Sequence, residues 1–155
     1  MKYFITGGCG FIGTNLALSF SKKKQKNLLI LDNLSKPTAK NNLNILKKNK
    51  ISFTKIDIAK SRNKVESLIK KFKPKVIFHL AGQVAMSTSN KKPYLDFQGN
   101  VQSTVNLLEA IRKFSDKTIL IFASTNKVYG DLENFDYFEK KTKYIIKNNF
   151  LGFNE

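Results

Sequence analysis

Short apolar runs alternate with amphipathic stretches from the first residue of the chain to about residue 125. The apolar runs are rich in β-branched and aromatic residues and predict five strands, at Lys2–Thr6, Asn27–Asp32, Ile51–Lys55, Lys75–Leu80 and Lys117–Ala123. Apolar residues at helical spacing predict helices at Phe11–Lys22, Thr38–Lys48, Ser61–Phe72 and Leu95–Phe114. Strands that alternate with helices of this length indicate right-handed βαβ units and a parallel sheet.

Two of the predicted helices carry apolar faces that suggest how they pack. In the first helix, the residues available to face the sheet are Phe11, Ile12, Leu16 and Phe20. In the longest helix, one stripe contains Phe97, Val101, Val105, Leu108 and Ile111. Ser61 has the side chain of a helix N-cap.

The pattern changes after about residue 130. Residues 131–155 combine aromatic residues and lysines without a clear period of two or 3.6, and Tyr144–Ile146 fits either a strand or a turn of helix. We therefore expect one domain over residues 1–130 and an irregular tail over residues 131–155.

Composition narrows the class of protein. The 155 residues are 41% hydrophobic, which is enough apolar material for one folded core and argues against a disordered chain. We find no apolar run that approaches the roughly 18 residues of a membrane span, and no secretory signal. The single cysteine, Cys9, cannot form an internal disulfide, so we expect a cytoplasmic protein with no membrane partner.

The formal charge of +17 raises the question of nucleic-acid binding. Arg62 and Arg112 are the two arginines and every other basic side chain is a lysine, although arginine is the residue suited to bidentate recognition of phosphate and guanine. The lysines are also dispersed, and several groups fall at predicted helix C-termini, where the helix dipole favours them. We therefore expect solvated surface lysines and no nucleic-acid partner.

A glycine-rich loop between the first strand and the first helix is the strongest chemical signal. Gly7, Gly10 and Gly13 have the spacing of a dinucleotide-binding fingerprint in the structural context that such a fingerprint requires. Gly7 permits a tight turn, Gly10 lets the backbone approach a pyrophosphate at the helix N-terminus, and Gly13 lets helix and strand pack closely.

Asp32 ends the second strand and follows the fingerprint at the distance expected of a ribose-binding carboxylate. A carboxylate at this position accepts hydrogen bonds from the adenosine ribose and repels a 2′-phosphate. NAD is therefore the expected cofactor, in preference to NADP.

The sequence resembles the extended short-chain dehydrogenase/reductases, the family of NAD-dependent nucleotide-sugar epimerases and dehydratases. The segments that carry the resemblance are TGGCGFIG at the start, DNLS from Asp32, Asp57-Ile58, HLAGQVA from His79, Asn100 with NLLEA, and ASTNKVYGDL from Ala123. Within the family, HLAGQVAMSTS and STNKVYGDL look most like the enzymes that invert C2 of a CDP-linked dideoxyhexose. The resemblance implies a Rossmann-type α/β fold, a doubly wound parallel sheet of about five strands in the order 3-2-1-4-5.

The resemblance also implies a role for each matching residue. Phe11 and Ile12 would meet the pyrophosphate through backbone amides, Asp32 and Asn33 would hold the ribose, and Asp57 and Ile58 would bracket the adenine. The residues expected to line or support the remainder of the cofactor are Leu80, Ala81, Gly82 and Asn100. Thr125 matches the catalytic Ser/Thr that hydrogen-bonds the reacting sugar oxygen, and Tyr129 would lie on the substrate side.

Other reactive residue types have a simpler interpretation. His79 lies in an apolar strand and is expected to be a hydrogen-bonded core histidine, and Cys9 has no paired histidine that would make it a nucleophile. No cluster of Cys, His or carboxylate residues has the spacing of a metal site.

The family's Tyr-x-x-x-Lys base is not matched at its expected place. Tyr137 and Lys141 have the spacing but follow Tyr129 too closely, so we interpret the pair as a coincidence. The resemblance further predicts a C-terminal substrate domain that this sequence does not contain. We therefore expect the N-terminal, NAD-binding half of a nucleotide-sugar epimerase, as a truncated or split gene product or a cut fragment.

The expected reaction is oxidation of a sugar hydroxyl by hydride transfer to NAD and return of the hydride to the opposite face. The expected partners are a nucleotide sugar, with a CDP-sugar favoured, and either a separately encoded C-terminal half or a second copy of the chain. Three alternatives remain open: an NAD(H)-binding module without catalysis, an inactive fragment, and a fragment of a UDP- or dTDP-sugar 4-epimerase or dehydratase.

Overall fold

A computed structural model describes residues 1–24, 27–125 and 135–147 of the chain. It divides into two compact units, Met1–Ala123 and Ser124–Glu155. The first unit contains the sheet and helices that the sequence predicts, and the second contains a pair of short strands.

The first unit alternates strands and helices along its whole length. Its strands are β1 (Tyr3–Thr6), β2 (Leu28–Asp32), β3 (Ser52–Lys55), β4 (Val76–His79) and β5 (Ile119–Phe122). Its α-helices are α1 (Phe11–Lys22), α2 (Ala39–Lys48), α3 (Arg62–Phe72), α4 (Met86–Lys91), α5 (Pro93–Phe97) and α6 (Ser103–Phe114), with a π-helical turn at Gln98–Gln102 between α5 and α6.

The five strands form one parallel sheet in the order β3-β2-β1-β4-β5. This arrangement confirms the predicted fold class and strand order. The central strand β1 lies between β2 and β4, and its last residue, Thr6, is opposite Leu31 on one side and His79 on the other. The loops that follow β2 and β4 therefore flank the glycine-rich loop that follows β1.

The core has two layers, one on each face of the sheet. Successive residues of β1 point to opposite faces, so Phe4 joins the cluster that includes α3 and α6, whereas Ile5 joins the cluster that includes α1 and α2. Apart from Thr6, Asp32 and His79 at the carboxyl ends, the side chains of β1, β2 and β4 are apolar, and all are buried or half-buried, as expected for strands covered on both faces.

The prediction of which α1 residues face the sheet is wrong for the first two residues of the helix. Phe11 is 84% exposed and Ile12 is 64% exposed, whereas the buried residues of the helix are Gly13, Thr14 and Ala17. The first turn of α1 lies at the end of the sheet, so its large side chains project past the core. Phe20, further along, does face the sheet and stacks on Tyr3 with a centroid distance of 4.6 Å.

The predicted helix at Leu95–Phe114 contains the π-helical turn, and its buried face differs from the predicted stripe. Phe97, Val101, Val105 and Leu108 are each about half exposed, and of that stripe Ile111 is buried. The face that packs on the core carries Ser103, Asn106, Leu107, Ala110 and Ile111. The sequence pattern predicts no element at Met86–Lys91, where the structure has α4.

Helix ends explain part of the lysine distribution. The last turns of α1, α2, α3, α4 and α6 all carry basic residues, which the helix dipole stabilises there. Ser61 occupies the N-cap position of α3, as predicted, but its side chain makes no capping hydrogen bond. Within the described residues, no helix combines the length and the apolar content needed to cross a membrane.

The second unit contains an antiparallel pair, β6 (Tyr137–Lys140) and β7 (Lys143–Ile146), joined by a two-residue turn. Tyr144–Ile146 is therefore a strand, which decides between the two forms predicted for it. Tyr137 lies in a strand rather than a helix, so the residues from Tyr137 to Lys141 do not share a helical face. This geometry agrees with our interpretation of that spacing as a coincidence.

Candidate functional site

The loop between β1 and α1 is shaped by glycines that the protein's own packing requires. Gly7 has a φ of +66°, and a Cβ atom there would lie 2.7 Å from the amide nitrogen of Ala81. A Cβ on Gly13 would overlap the carbonyl oxygen of Gly7 and lie 2.7 Å from Cα of Gly8. Gly13 therefore allows the close approach of helix α1 to the loop, as predicted.

At the mouth of this loop, the N-terminus of α1 has a geometry that suits the binding of an anion. The first hydrogen bond of α1 joins the amide of Thr14 to the carbonyl of Gly10, so the amides of Phe11, Ile12 and Gly13 precede it and point out of the helix N-terminus. A Cβ on Gly10 would meet one atom within 4 Å, the carbonyl oxygen of Gly7 at 3.1 Å. Apart from this one tight contact, the space in front of Gly10 holds no other neighbouring atom, which leaves room for a pyrophosphate group.

The carboxylate of Asp32 is hydrogen-bonded to the glycine loop and to the backbone that follows β2. Its Oδ2 accepts a hydrogen bond of 3.0 Å from the amide of Cys9, and its Oδ1 accepts one of 2.8 Å from the amide of Leu34. Because each carboxylate oxygen has further lone pairs, both remain able to accept a hydrogen bond from a ribose hydroxyl. The carboxylate at the end of β2 and the loop after β1 therefore form one rigid edge.

Cys9 is a structural residue of this loop. Its side chain is fully buried in the core cluster with Ile5, and burial, reinforced by the negative charge of Asp32, raises the pKa of its thiol to about 12. Asn42 on α2 donates a hydrogen bond of 2.8 Å from Nδ2 to the Cys9 carbonyl and holds the loop from the helix side. A thiol with so high a pKa agrees with our prediction that Cys9 is not a nucleophile.

An open pocket of about 360 Å³ lies beside Asp32, at the carboxyl ends of β2 and β3. Asn33 donates a hydrogen bond of 3.3 Å to Asp57 across it. The other oxygen of Asp57 accepts hydrogen bonds from the amides of Ala59 and Lys60. The pocket is lined by Asn33, Ser35, Lys55, Ile56, Asp57, Ser61 and Lys64. Its volume lies within the range of small-ligand sites.

Ile58 contributes to this region through its backbone. Its side chain is buried in the core with Val65 and Leu107, and its carbonyl oxygen accepts a hydrogen bond of 2.9 Å from Nδ2 of Asn106. The side chain therefore has almost no surface to offer to a ligand.

The loop after β4 is held by a chain of hydrogen bonds through His79. The amide of Ala81 donates to Thr6 Oγ1 (3.2 Å), and Thr6 Oγ1 lies 2.6 Å from Nδ1 of His79. On the other side of the ring, Nε2 lies 3.0 Å from Thr104 Oγ1, which itself donates to the carbonyl of Asn100 (2.6 Å). Because the Thr104 hydroxyl donates its one hydrogen to Asn100, it accepts from the N–H at Nε2 of His79, and Nδ1 accepts from the Thr6 hydroxyl.

His79 is thus the hydrogen-bonded core histidine that the sequence predicts. It is 1% exposed, and burial lowers the pKa of its imidazole to about 4. A ring that is neutral and bonded at both nitrogens positions the loop of Leu80, Ala81 and Gly82 and has no free site for proton transfer.

Asn100 completes the support of that loop from the π-helical turn. Its Oδ1 accepts from the amide of Gln83 (2.8 Å), and its Nδ2 donates to the carbonyl of Gln83 (3.1 Å). The π-helical turn places Asn100 opposite Gln83, and such turns are common at functional sites. The structure therefore brings together the predicted residues of β1, β2 and β4 and of the long helix at the carboxyl edge of the sheet.

The two predicted substrate-side residues belong to the part of the chain after the first unit. Thr125 is exposed and belongs to the second unit, three residues after β5 in the sequence. Tyr129 lies outside the described residues. Among the described residues, no group of His, Cys, Asp and Glu side chains could hold a metal ion.

Several residues that shape the site were not predicted. They are Thr6, Gly8, Lys36, Asn42, Gln83, Thr104 and Asn106. Thr6 could have been found, because a polar residue at the buried end of a strand, directly before a glycine loop, needs a hydrogen-bond partner. The others depend on contacts between segments that are far apart in the sequence.

We compared the sequence with protein-family profiles and with curated proteins. Residues 4–146 match the profile of the family described as GDP-mannose 4,6 dehydratase. A curated relative, the CDP-paratose 2-epimerase of Salmonella typhi, is 47% identical over 156 residues, which cover 100% of this chain and 46% of that protein.

Solved structures agree with that match. The UDP-Glc/GlcNAc 4-epimerase of Campylobacter jejuni has a TM-score of 0.73 at 28% identity, with 83% of this chain and 38% of that chain covered. The UDP-glucose 4-epimerase of Thermus thermophilus, in complex with NAD, has a TM-score of 0.66 at 31% identity, with 81% and 38% covered. The chain thus spans less than half the length of these relatives.

Proposed function

The chain belongs to the GDP-mannose 4,6 dehydratase family, and from this premise we propose that its first unit is the NAD-binding part of a nucleotide-sugar epimerase. We further propose that the enzyme is of the CDP-paratose 2-epimerase type and acts on a CDP-linked sugar. The identity of 47% across the whole chain supports the finer assignment.

One observation carries the proposal: the carboxylate of Asp32 is tied to the glycine loop through the amide of Cys9. This bond holds a carboxylate, which we assign to the adenosine ribose, beside a helix N-terminus that is open to an anion. A dinucleotide needs both features at this spacing. Neither feature is required for the stability of a parallel sheet as such.

The cofactor would be held by residues along the carboxyl edge of the sheet. The amides of Phe11 and Ile12 would receive the pyrophosphate, and Asp32 with Asn33 would accept and donate hydrogen bonds at the adenosine ribose. Asp57 would bind the adenine in the pocket beside Asn33, and Ile58 would take part through its backbone.

The nicotinamide end would lie along the loop after β4. Leu80, Ala81 and Gly82 would line it, and Asn100 would hold their positions through Gln83. The exposed Phe11 and Ile12 side chains would shield the phosphates from water at the mouth of the loop.

The chemistry needs a hydride acceptor, which bound NAD would supply. Thr125 would donate a hydrogen bond to the reacting sugar oxygen, and Tyr129 would contact the substrate. Tyr137 lies in a strand, so we do not assign it the proton-accepting role with Lys141.

We also propose partners and a compartment for the complete enzyme. Among the described residues, β5 pairs with β4 alone, and Ile119, Ile121 and Phe122 are about half exposed along it. An apolar strand edge of this kind favours pairing with further polypeptide, and we propose that a complementing C-terminal half or a second copy of the chain covers it. The buried free thiol of Cys9 suits a reducing compartment, so we propose the cytoplasm.

Of the three alternatives, an NAD(H)-binding module and part of a UDP- or dTDP-sugar 4-epimerase or dehydratase share the same cofactor site, and the third is an inactive fragment. Thermal unfolding with and without NAD⁺ tests the common premise, because a ligand at about 100 times its Kd adds about 2.7 kcal/mol to stability. No shift in Tm would contradict all of these functions except the inactive fragment.

A second assay separates the alternatives. The NAD⁺-loaded chain is incubated with CDP-paratose or with UDP-glucose, and the sugar is followed by NMR. Inversion at C2 of the CDP-sugar supports the proposal, whereas inversion at C4 of UDP-glucose supports the 4-epimerase. Because the proposed enzyme needs a complementing C-terminal half, NAD⁺ binding without turnover supports the binding module only where it persists after the C-terminal half of the Salmonella typhi relative is added.

A further inference from the structure

Lys36 and Gln83 form a side-chain bridge across the carboxyl edge of the sheet. Nζ of Lys36 donates a hydrogen bond of 2.9 Å to Oε1 of Gln83. Lys36 belongs to the loop after β2, and Gln83 belongs to the loop after β4. Because β2 and β4 pair with opposite sides of β1, the bridge spans the end of β1, where the glycine loop begins.

The span is a natural length for these two side chains. Neighbouring strands lie about 4.8 Å apart, so the ends of β2 and β4 are about 10 Å apart, and an extended lysine together with a glutamine covers that distance. The bridge is therefore a strap over the place where a dinucleotide would cross from one half of the sheet to the other.

Both ends of the strap are anchored in the backbone. The main chain of Gln83 is held by the two hydrogen bonds to Asn100, and its side-chain amide donates to the carbonyl of Ala85 (3.3 Å). The carbonyl of Lys36 accepts from the amide of Ala39 in the turn that enters α2 (3.1 Å). The ammonium group is thus delivered to a defined position.

The charge of Lys36 is not neutralised by its partner. Gln83 is uncharged, and the bond to it uses one of the three N–H donors of the ammonium group. The first turn of α1 contains no acidic side chain that would compete for that charge. A positively charged group with spare donors therefore bridges the two loops that flank the glycine loop, whose amides favour an anion.

We propose that Lys36 is a pyrophosphate-binding residue, whose ammonium group pairs with the phosphates of the dinucleotide while Gln83 holds it in place. This inference rests on the proposed function and adds a residue to it. Lys36 contributes the electrostatic part of the affinity and slows release, because the strap must open before the dinucleotide leaves.

The test compares Lys36→Met with the matched variant Lys40→Met, in which another exposed lysine four residues further on loses its charge. NAD⁺, ADP and adenosine are titrated by calorimetry into the full chain, and NADH release is followed by stopped-flow fluorescence. Loss of a charge-assisted hydrogen bond predicts about tenfold weaker binding of NAD⁺ and ADP by Lys36→Met, with faster release. Adenosine, which has no phosphate, should bind all three proteins within about twofold.

The experiment distinguishes failure of the proposed role of Lys36 from failure of the proposed function. If Lys36→Met binds NAD⁺ within twofold of the unaltered chain, or if Lys40→Met weakens NAD⁺ equally, the role of Lys36 is overturned and the proposed function stands. If Lys36→Met weakens adenosine as much as ADP, its effect is structural and the role is again overturned. If the unaltered chain binds none of the three ligands, the proposed function falls, and the role of Lys36 falls with it.

Discussion

Thr6 Oγ1 lies 2.6 Å from Nδ1 of His79, and this bond joins the ends of β1 and β4 beneath the candidate cofactor site. The two residues are 73 positions apart in the sequence. The same hydroxyl oxygen accepts a hydrogen bond from the amide of Ala81. The position of the loop that follows β4 therefore depends on the position of the two strand ends. The buried imidazole therefore acts on the site through its neighbours.

The first prediction is a pH dependence of stability that arises from His79. Its pKa is about 4 in the folded protein against 6.5 in the unfolded chain, so the unfolded state binds more protons between these values. The contribution is fully present above pH 6.5 and is lost as the pH falls toward 4. From pH 7 to pH 5 the free energy of unfolding should fall by about 2 kcal/mol.

Urea unfolding at both pH values measures this change, and His79 is the single histidine of the chain. The variant His79→Gln should lose the decrease. An NMR titration of the native imidazole provides a second check, because a midpoint near 6.5 in the folded protein would contradict the buried, neutral ring.

The second prediction concerns the hydroxyl of Thr6. Thr6→Val keeps the shape of the side chain but leaves Nδ1 of His79 and the amide of Ala81 without their partner, which should cost about 3 kcal/mol of unfolding free energy. Thr6→Ser keeps the hydroxyl and should cost about 1 kcal/mol for the lost methyl group. Equal destabilisation of the two variants in urea unfolding would show that the hydroxyl contributes nothing.

The third prediction tests the close approach at Gly13. Gly13→Ala would place a methyl group against the carbonyl of Gly7 and should destabilise the fold by at least about 3 kcal/mol. Gly99→Ala is the matched control, because its nearest neighbour would be Cβ of Gln83 at 3.4 Å, an ordinary contact. Its unfolding free energy should stay within about 1 kcal/mol of the unaltered chain. A Gly13→Ala protein of unchanged stability would refute the packing described for the loop.

The fourth prediction concerns the reactivity of Cys9. A buried thiol with a pKa of about 12 is almost entirely protonated at pH 8. Labelling with a disulfide reagent should therefore be at least about 100-fold slower in the native protein than in urea. Since Cys9 is the single cysteine, the signal has one source. Labelling at similar rates in the two states would show that the thiol is accessible.

The parallel sheet and the glycine loop were predictable because both depend on local pattern, whereas the strand order was implied by the family resemblance. Alternating strands and helices determine a parallel sheet, and the spacing of Gly7, Gly10 and Gly13 is meaningful in that context. Asp32 could be assigned because it ends the second predicted strand at the expected distance from the glycine fingerprint. The lysines at helix ends follow from the dipole in the same way.

Other features could not be predicted because they depend on register and on three-dimensional position. The bond between Thr6 and His79 exists because those residues are opposite each other in adjacent strands, which the sequence does not state. The π-helical turn around Asn100 inserts an extra residue per turn, and hydrophobic periodicity does not reveal it. Phe11 and Ile12 look like core residues by type, but the first turn of α1 extends past the end of the sheet.

The most direct test of the account is a calorimetric titration of the 155-residue chain with NAD⁺ and with NADP⁺. Saturable binding of one NAD⁺ per chain is predicted, with NADP⁺ at least about tenfold weaker because Asp32 repels a 2′-phosphate. Equal affinity for NADP⁺ would show that Lys55 and Lys64, which line the adjacent pocket, outweigh the carboxylate. If the protein is folded by circular dichroism and yet shows no saturable binding of NAD⁺, the central claim is contradicted.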